Sequence, residues 1–253
     1  MGNRLTLLGQ LGYGFLRMCT AAARSPFDRS TRESFIAASF ALGAYPRRPR
    51  LAQVAPTDLI DEGVPVQLVR CASEKWQVTT FELAVIVGVA KSRAAGHIFE
   101  IGTFDGRTTL NLHINMPAAS LATIDLPPAE QRLPDGKVAG SLIREHLDAG
   151  TIKQLYGDST RFDFSPYFGT QDLVFVDARH TYENVRSDSR TALRLVEGRE
   201  GTILWHDYAN TPGVTQAVEE VPSMVESAVT FGWIRGTSLA VLATAPGEPL
   251  RLR

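Results

Sequence analysis

The stretch that most constrains the fold covers residues 97–109. It predicts a short buried strand through Glu100, a tight turn between Gly102 and Gly106, and a helix that begins with hydroxyl side chains. Glycine tolerates the backbone angles of such a turn, and the first turn of a helix offers N–H groups that lack intrahelical partners. The stretch therefore predicts a nucleotide-type binding crevice. The dinucleotide pattern G-x-G-x-x-G requires a third glycine, which this loop lacks.

Apolar segments with strand character alternate with helical patterns, which predicts a parallel sheet built from β-α-β units. The strands are expected near residues 97–102, 120–125, 151–156, 171–177 and 201–206, and the helices near 107–115, 137–149, 180–197 and 213–226. In the helix near 180–197, Val185, Ala192, Leu195 and Val196 are expected to face the core, whereas Arg186, Asp188, Arg190, Arg194 and Glu197 are expected to face water.

The end of the chain differs from this alternation. Residues 229–234 and 238–243 are separated by three residues, which is too short for a crossover helix and indicates a hairpin. The predicted fold class is α/β: a Rossmann-like, doubly wound sheet of mostly parallel strands with a C-terminal antiparallel hairpin, plus an N-terminal helical extension.

We expect two parts in the chain, a helical extension and linker over residues 1–78 and a ligand-binding domain over residues 79–253. An apolar stripe over residues 5–23 and a capping box at residues 30–33 predict two helices of the extension. A further capping box, from Thr79 to Glu82, predicts the helix that leads into the first strand. A homodimer formed through the N-terminal helices is a further expectation.

Composition argues against a nucleic-acid-binding protein, a protein held by disulfides and a membrane-spanning protein. A chain of 253 residues with a formal net charge of −1 shows no electrostatic footprint for nucleic acid. Cys19 and Cys71 lie far apart without metal or redox spacing, as expected of unpaired thiols in a reducing compartment. No apolar run reaches the roughly 18 residues that a transmembrane helix needs. These features predict a cytoplasmic protein without a transmembrane segment.

An acidic residue ends or closely follows every predicted parallel strand. These residues are Glu100, Asp125, Asp158, Asp177 and Asp207. Each alone is explained equally well as a helix cap or turn residue. Ligands of open parallel sheets, however, bind outside the carboxyl ends of the strands, so five acids in equivalent positions favour a ligand site. Asp125 has the spacing of a residue that accepts hydrogen bonds from ribose hydroxyls.

These motifs resemble the class I S-adenosylmethionine-dependent methyltransferases, and most closely the methyltransferase 24 family. The resemblance covers residues from about 79 to 245. The matching stretches are Phe99 to Thr109, Ala122 to Leu126, Gly157 to Ser159, Asp172 to Asp188, Trp205 to Asp207 and Gly236 to Ser238. The resemblance implies that S-adenosylmethionine is the cofactor and that a small molecule is the methyl acceptor.

The resemblance also implies a set of cofactor-binding residues. Gly102, Thr103, Phe104 and Gly106 would surround the methionine part of the cofactor, and Thr108 would reach its carboxylate. Asp125 would bind the ribose, and Asp158 with Ser159 the adenine. Glu100 would anchor the loop or the cofactor amine. Asp105, Leu126 and Asp177 complete the expected set.

Two catalytic arrangements stay open. Asp177, His206 and Asp207 occupy positions where metal-dependent relatives place oxygen ligands, although a histidine in the middle suits zinc, iron or nickel better than magnesium. Alternatively, His180 or His206 acts as the general base, oriented by Asp177 or Asp207.

The sequence thus predicts an enzyme that transfers a methyl group from S-adenosylmethionine to a hydroxyl of a sugar or natural-product intermediate. The alternatives are an N-methyltransferase or hydroxylase-like enzyme of the same fold, an NAD-dependent oxidoreductase, and a non-catalytic module that keeps the cofactor pocket.

Overall fold

The computed structural model describes residues 19–20, 23, 49–71, 77–131, 138–148, 151–227 and 229–253. Apart from residues 19–20 and 23, which are helical, the two helices expected within residues 5–43, and the dimer contact expected from them, lie outside the described residues. The chain divides into two compact units, one of residues 1–49 and 209–211 and the other of residues 50–208 and 212–253. The division into residues 1–78 and 79–253 stays a prediction. Within the described residues, no helix is long and apolar enough to cross a membrane.

The second unit contains an eight-stranded sheet, counted over the described residues. The strands are β1 (Gln53–Val54), β2 (His97–Ile101), β3 (Ser120–Asp125), β4 (Ile152–Tyr156), β5 (Leu173–Val176), β6 (Thr202–Trp205), β7 (Val229–Ile234) and β8 (Ala240–Thr244). Their order across the sheet is β1-β7-β8-β6-β5-β2-β3-β4. The strand pairs are parallel except for β6–β8 and β7–β8, which are antiparallel.

Five α-helices of the described part connect these strands. They are α1 (Thr80–Ser92), α2 (Arg107–Asn115), α3 (Arg144–Asp148), α4 (Tyr182–Val196) and α5 (Pro212–Glu219). Short 3-10 helices cover Pro56–Asp58, Ser165–Tyr167 and Val221–Met224. Leu83 and Ile86 of α1 join Ile98, Leu173 and Leu204 of the central strands in one buried cluster, so α1 is fixed against the sheet.

The predicted sheet of mostly parallel strands with a terminal hairpin is confirmed, with three differences in detail. Within the described residues, the helix expected near residues 137–149 covers only Arg144–Asp148, and residues 139–143 form turns ahead of it. β1, which the sequence pattern did not predict, extends the hairpin edge by pairing in parallel with β7. The last crossover helix stops at Glu219, before the 3-10 turn that contains Pro222, instead of continuing to residue 226. Proline lacks the backbone N–H that an α-helix interior requires, so α5 ends ahead of it.

One side chain of α4 lies on the opposite face from the one predicted. Val185, Ala192 and Leu195 are buried as expected, but Asp188 is also buried, with 1% of its surface exposed. Position 188 follows Val185 by three residues, so it falls on the same helical stripe despite its charge. Burial raises the pKa of the Asp188 carboxyl to about 6.

Candidate active site

The glycine loop connects β2 to α2 and closely approaches the end of β5. Gly102 and Gly106 have φ angles of 104° and 89°, and Gly106 is the N-cap of α2. A Cβ atom at Gly102 would lie 2.2 Å from the carbonyl oxygen of Asp177. Only glycine fits both the positive φ angle and this close approach, so the loop and the end of β5 form one continuous surface.

Glu100, in the strand that leads into the glycine loop, fixes the elements on either side of that loop. Its carboxylate is 1% exposed and accepts hydrogen bonds from the hydroxyls of Thr109 and, at 2.7 Å, Thr123. These contacts join β2 to α2 and β3. Burial raises the pKa of Glu100 to about 8, against the lowering influence of the two hydroxyls. A direct contact of Glu100 with a cofactor amine remains a prediction.

The raised pKa of Glu100 makes folding stability depend on pH. Between the ordinary pKa of 4.5 and about 8, the folded protein holds a proton that the unfolded chain has released. The free energy of unfolding therefore falls as pH rises through this window, by up to about 1.4 kcal/mol per pH unit.

We expect Glu100→Gln to flatten that slope when the free energy of unfolding is measured by chemical denaturation at pH 5 and pH 8. Glu183→Gln, at an exposed site on α4, is the control, and an unchanged slope in Glu100→Gln would contradict the prediction.

Asp125 ties the end of β3 to the glycine loop. One carboxylate oxygen accepts a hydrogen bond from the backbone N–H of Phe104 at 2.8 Å, and the other accepts from the N–H of Leu126 at 2.7 Å. The carboxylate is half-buried, at the carboxyl edge of the sheet. Asp125 thus holds the loop in place and keeps part of its surface available to a ligand.

The other residues of the predicted cofactor set lie around the same loop or after β4. Thr103 is buried, and its hydroxyl is 2.7 Å from that of Thr123. Asp105 is also buried and accepts a hydrogen bond from Gln77 at 2.6 Å. Thr108 lies in the first turn of α2 with 9% of its surface exposed.

The residues after β4 are more accessible. Asp158 is exposed and accepts hydrogen bonds from the N–H of Thr160 at 2.9 Å and from its hydroxyl at 2.7 Å. Ser159 is half-buried. Their contact with adenine remains a prediction.

Asp177, His180, His206 and Asp207 meet at the carboxyl ends of β5 and β6. The Nδ1 atom of His206 lies 3.2 Å from Asp177 and 3.6 Å from Asp207. The Nε2 atom of His180 lies 3.5 Å from Asp177 and 3.1 Å from Asp207. Two acids and two histidines therefore form one cluster.

The two histidines differ in access. The side chain of His180 is 44% exposed, whereas that of His206 is 9% exposed. Although burial disfavours the charged imidazole, the neighbouring Asp177, Glu82 and Asp207 carboxylates raise the pKa of His206 well above its ordinary value. Burial likewise opposes ionisation of Asp177, but the two histidines hold the pKa of this carboxyl well below its ordinary range. Asp177 and His206 therefore each favour the ionised form of the other.

Glu82 is the member of this cluster that the sequence did not predict. It was interpreted as the third residue of a capping box, and it does accept a hydrogen bond from the backbone N–H of Thr79 at 2.8 Å. Its carboxylate also lies 3.4 Å from Nε2 of His206. The capping pattern explained Glu82 locally, so no signal in the sequence pointed to the second contact.

Two aromatic residues near the cluster belong to the core. Trp205 and Tyr208 have no exposed surface. The indole N–H of Trp205 donates to Ser189 at 3.0 Å, and the hydroxyl of Tyr208 accepts from the backbone N–H groups of Arg50 and Leu51. Trp205 is thus a core residue, and Tyr208 offers no surface on which an acceptor could stack.

Three ligand atoms of the cluster converge as a metal site requires. One atom each of Asp177, His206 and Asp207 lies within 4.8 Å of the other two. A set of two carboxylates and one imidazole fits a divalent transition metal better than magnesium, which prefers oxygen ligands alone. The side chains present therefore fit such an ion.

Comparison with known proteins gives a match to a family model, over part of the chain. Residues 99–208 match the family model of a methyltransferase domain, the methyltransferase 24 family. A search of curated protein sequences gave no significant match. The structure of the S-adenosylhomocysteine-bound methyltransferase PaMTH1 from Podospora anserina matches with a TM-score of 0.50 and 16% identity, over 67% of this chain and 80% of that chain.

A second solved structure is similar at the same level of identity. The O-methyltransferase TomG from Streptomyces achromogenes, involved in tomaymycin synthesis and solved with S-adenosylmethionine, has a TM-score of 0.47 and 20% identity, over 67% of this chain and 82% of that chain. The likeness to PaMTH1 confirms the fold. The family match covers residues 99–208, less than half of the chain, and the order of the strands is the one that the resemblance to class I methyltransferases led us to expect.

Proposed function

We propose that this protein is a methyltransferase and that it transfers the methyl group of S-adenosylmethionine to a hydroxyl oxygen of a small acceptor, such as a sugar or a natural-product intermediate. The observation that carries the proposal is the cluster of two histidines and two aspartates beside the glycine loop. A hydroxyl nucleophile must lose its proton, and this cluster supplies proton acceptors where the loop would present the methyl group. An amine acceptor needs no such group.

In the proposed reaction, the acceptor oxygen attacks the methyl carbon in line with the departing sulfur. A C–O bond forms while the S–C bond breaks, and its electron pair stays on the sulfur to give S-adenosylhomocysteine. The hydroxyl proton passes to Nδ1 of His180, because Nε2 of this ring faces the carboxylates of Asp177 and Asp207. His180 is the better placed of the two histidines because 44% of its side chain is exposed and therefore accessible to an acceptor. Asp207, 3.1 Å away, orients the imidazole and stabilises its charged form.

A divalent metal held by Asp177, His206 and Asp207 fits the same function. Such an ion, when bound, lowers the pKa of a coordinated hydroxyl and orients it. The chain's own contribution is the fixed placement of the three side chains at the ends of β5 and β6. Asp177 is held there by the backbone hydrogen bond from its N–H to Ile101, at 2.8 Å.

Calorimetry and turnover assays test the proposal together. We expect S-adenosylhomocysteine to bind the full chain with micromolar or tighter affinity and NAD not to bind. A paired panel of acceptors, in which a hydroxyl is replaced by an amine on the same scaffold, should show methylation of the hydroxyl compound. Absence of cofactor binding at millimolar concentration would overturn the proposal. Methylation of the amine compounds alone would show that the protein is an N-methyltransferase and not an O-methyltransferase.

Removal of metal separates the two catalytic arrangements. If Asp177, His206 and Asp207 hold a catalytic ion, EDTA should lower turnover by at least about 100-fold, and a transition metal should restore it better than magnesium does. Cofactor affinity, measured in parallel, should remain within about threefold. Full activity after metal removal would leave His180 as the proton acceptor without an ion.

A further inference from the structure

Glu82 makes contacts with three separate parts of the second unit. One carboxylate oxygen accepts hydrogen bonds from the N–H of Ser238 at 2.6 Å and from its hydroxyl at 2.7 Å. The other oxygen accepts from the N–H of Thr79 at 2.8 Å and lies 3.4 Å from Nε2 of His206. With only 4% of Glu82 exposed, water does not satisfy this carboxylate. A helix cap alone would need only the contact with Thr79.

The other contacts of the carboxylate determine which atom of His206 carries a proton. The backbone N–H groups of Thr79 and Ser238 can only donate, and the short contact with the Ser238 hydroxyl has the geometry of donation. An ionised carboxylate can only accept. An unprotonated Nε2 would direct its lone pair at this carboxylate inside the core, which is unfavourable. Nε2, 3.4 Å from this carboxylate, is therefore the ring atom of His206 that carries a proton toward Glu82.

We propose that Glu82 is a positioning residue of the active site: it holds the Nε2–H of His206, so that His206 presents Nδ1 to Asp177 and Asp207. The inference rests on the proposed function, because methyl transfer is what gives this orientation a catalytic role. It excludes His206 Nε2 as the proton acceptor, in agreement with the assignment of that role to the more exposed His180. It also makes Nδ1 the atom through which His206 contributes to the cluster.

The capping box supplies a matched control for this proposal. Thr79→Ala removes the side chain that accepts a hydrogen bond from the N–H of Glu82 at 3.2 Å, and it leaves the Glu82 carboxylate in place. Glu82→Gln removes the charge and replaces one acceptor oxygen by an NH2 group that faces donors. A role of Glu82 limited to capping α1 predicts that the two variants behave alike, whereas a role in positioning His206 predicts that only Glu82→Gln changes the imidazole.

The protonation of each histidine ring nitrogen can be measured directly by long-range ¹H–¹⁵N correlation NMR of the full, metal-free chain. The signals of His206 are assigned by their absence from the spectrum of a His206→Gln sample. In the native protein and in Thr79→Ala, we expect a protonated Nε2 whose hydrogen exchanges slowly with water. In Glu82→Gln, we expect that exchange to be at least about tenfold faster, because an unpaired N–H opens to solvent more readily. If Glu82→Gln does not fold, Glu82→Asp keeps the charge, shortens the reach and should give the same acceleration.

Kinetics connect the ring measurement to catalysis. Glu82→Gln should lower kcat by about 10- to 100-fold, with the KM for S-adenosylmethionine unchanged, as is typical when a residue that orients a ligand is removed. Thr79→Ala should leave both parameters within about threefold. An unprotonated Nε2 in the native protein, or equal hydrogen exchange in all variants, would overturn the inference. An inactive native protein that nevertheless shows the expected ring protonation would instead count against the proposed function alone.

Discussion

Replacement of Asp177 by Asn is expected to lower kcat for methyl transfer by about 100- to 10,000-fold, the range for loss of a positioned acid–base group. Asp177 is the acid nearest to His206 and also contacts His180, at 3.2 and 3.5 Å. Asparagine has nearly the same shape but lacks the charge that stabilises both imidazoles. The expected loss therefore reports on electrostatics rather than packing, and steady-state turnover under saturating cofactor measures it.

The same strand offers a matched control. Asp172 directly precedes β5, whereas Asp177 directly follows it. Asp172 accepts hydrogen bonds from Arg199 at 2.6 Å and from the N–H of His97 at 2.8 Å. We expect Asp172→Asn to reduce stability while kcat stays within about threefold. Equal losses of kcat in both variants would mean that Asp177 acts only through the stability of β5.

Cofactor affinity is expected to depend most strongly on Asp125. Asp125→Ala should weaken the binding of S-adenosylhomocysteine by about 1–3 kcal/mol, because a charge-assisted acceptor for the ribose is lost. The structure adds a second reason, since the variant also removes the hydrogen bond that holds the backbone of Phe104 in the loop. Calorimetric titration of folded protein measures the change.

Asp163→Ala is the control for that experiment. Asp163 is exposed and accepts a hydrogen bond from the backbone N–H of Ser165 at 3.0 Å. Like Asp125, it accepts a hydrogen bond from a backbone N–H through its carboxylate, but it lies outside the glycine loop. We expect its removal to leave the affinity unchanged. An unaltered affinity in Asp125→Ala would show that the ribose does not bind at the end of β3.

The positions of the acids at the strand ends could be predicted because each follows from a local rule. An apolar segment of fixed length places its next residue at the edge of the sheet, and parallel strands share that edge. The convergence of Asp177, His206 and Asp207 follows from the adjacency of β5 and β6, which the alternation of strands and helices already favoured.

Glu82 and Asp188 could not be predicted because local rules gave them a sufficient but incomplete explanation. Glu82 completes a capping box, and its contact with His206 depends on how α1 docks against a strand more than a hundred residues away. Asp188 was predicted to face water because it is charged, although its helical spacing puts it on the buried stripe. β1 is only two residues long and is defined by its pairing with β7, a contact that no local pattern encodes.

The position of β8 between β6 and β7 has a consequence for biosynthesis. Six strands emerge from the ribosome before the hairpin of β7 and β8, yet the free edge of β6 is covered only when residues 240–244 pair with it. Until then the nascent chain exposes an unpaired apolar edge, which is an aggregation hazard. Ser238, which Glu82 binds, arrives at the same stage. Completion of the sheet and the contact of Glu82 with Ser238 therefore both await the synthesis of residues 238–244.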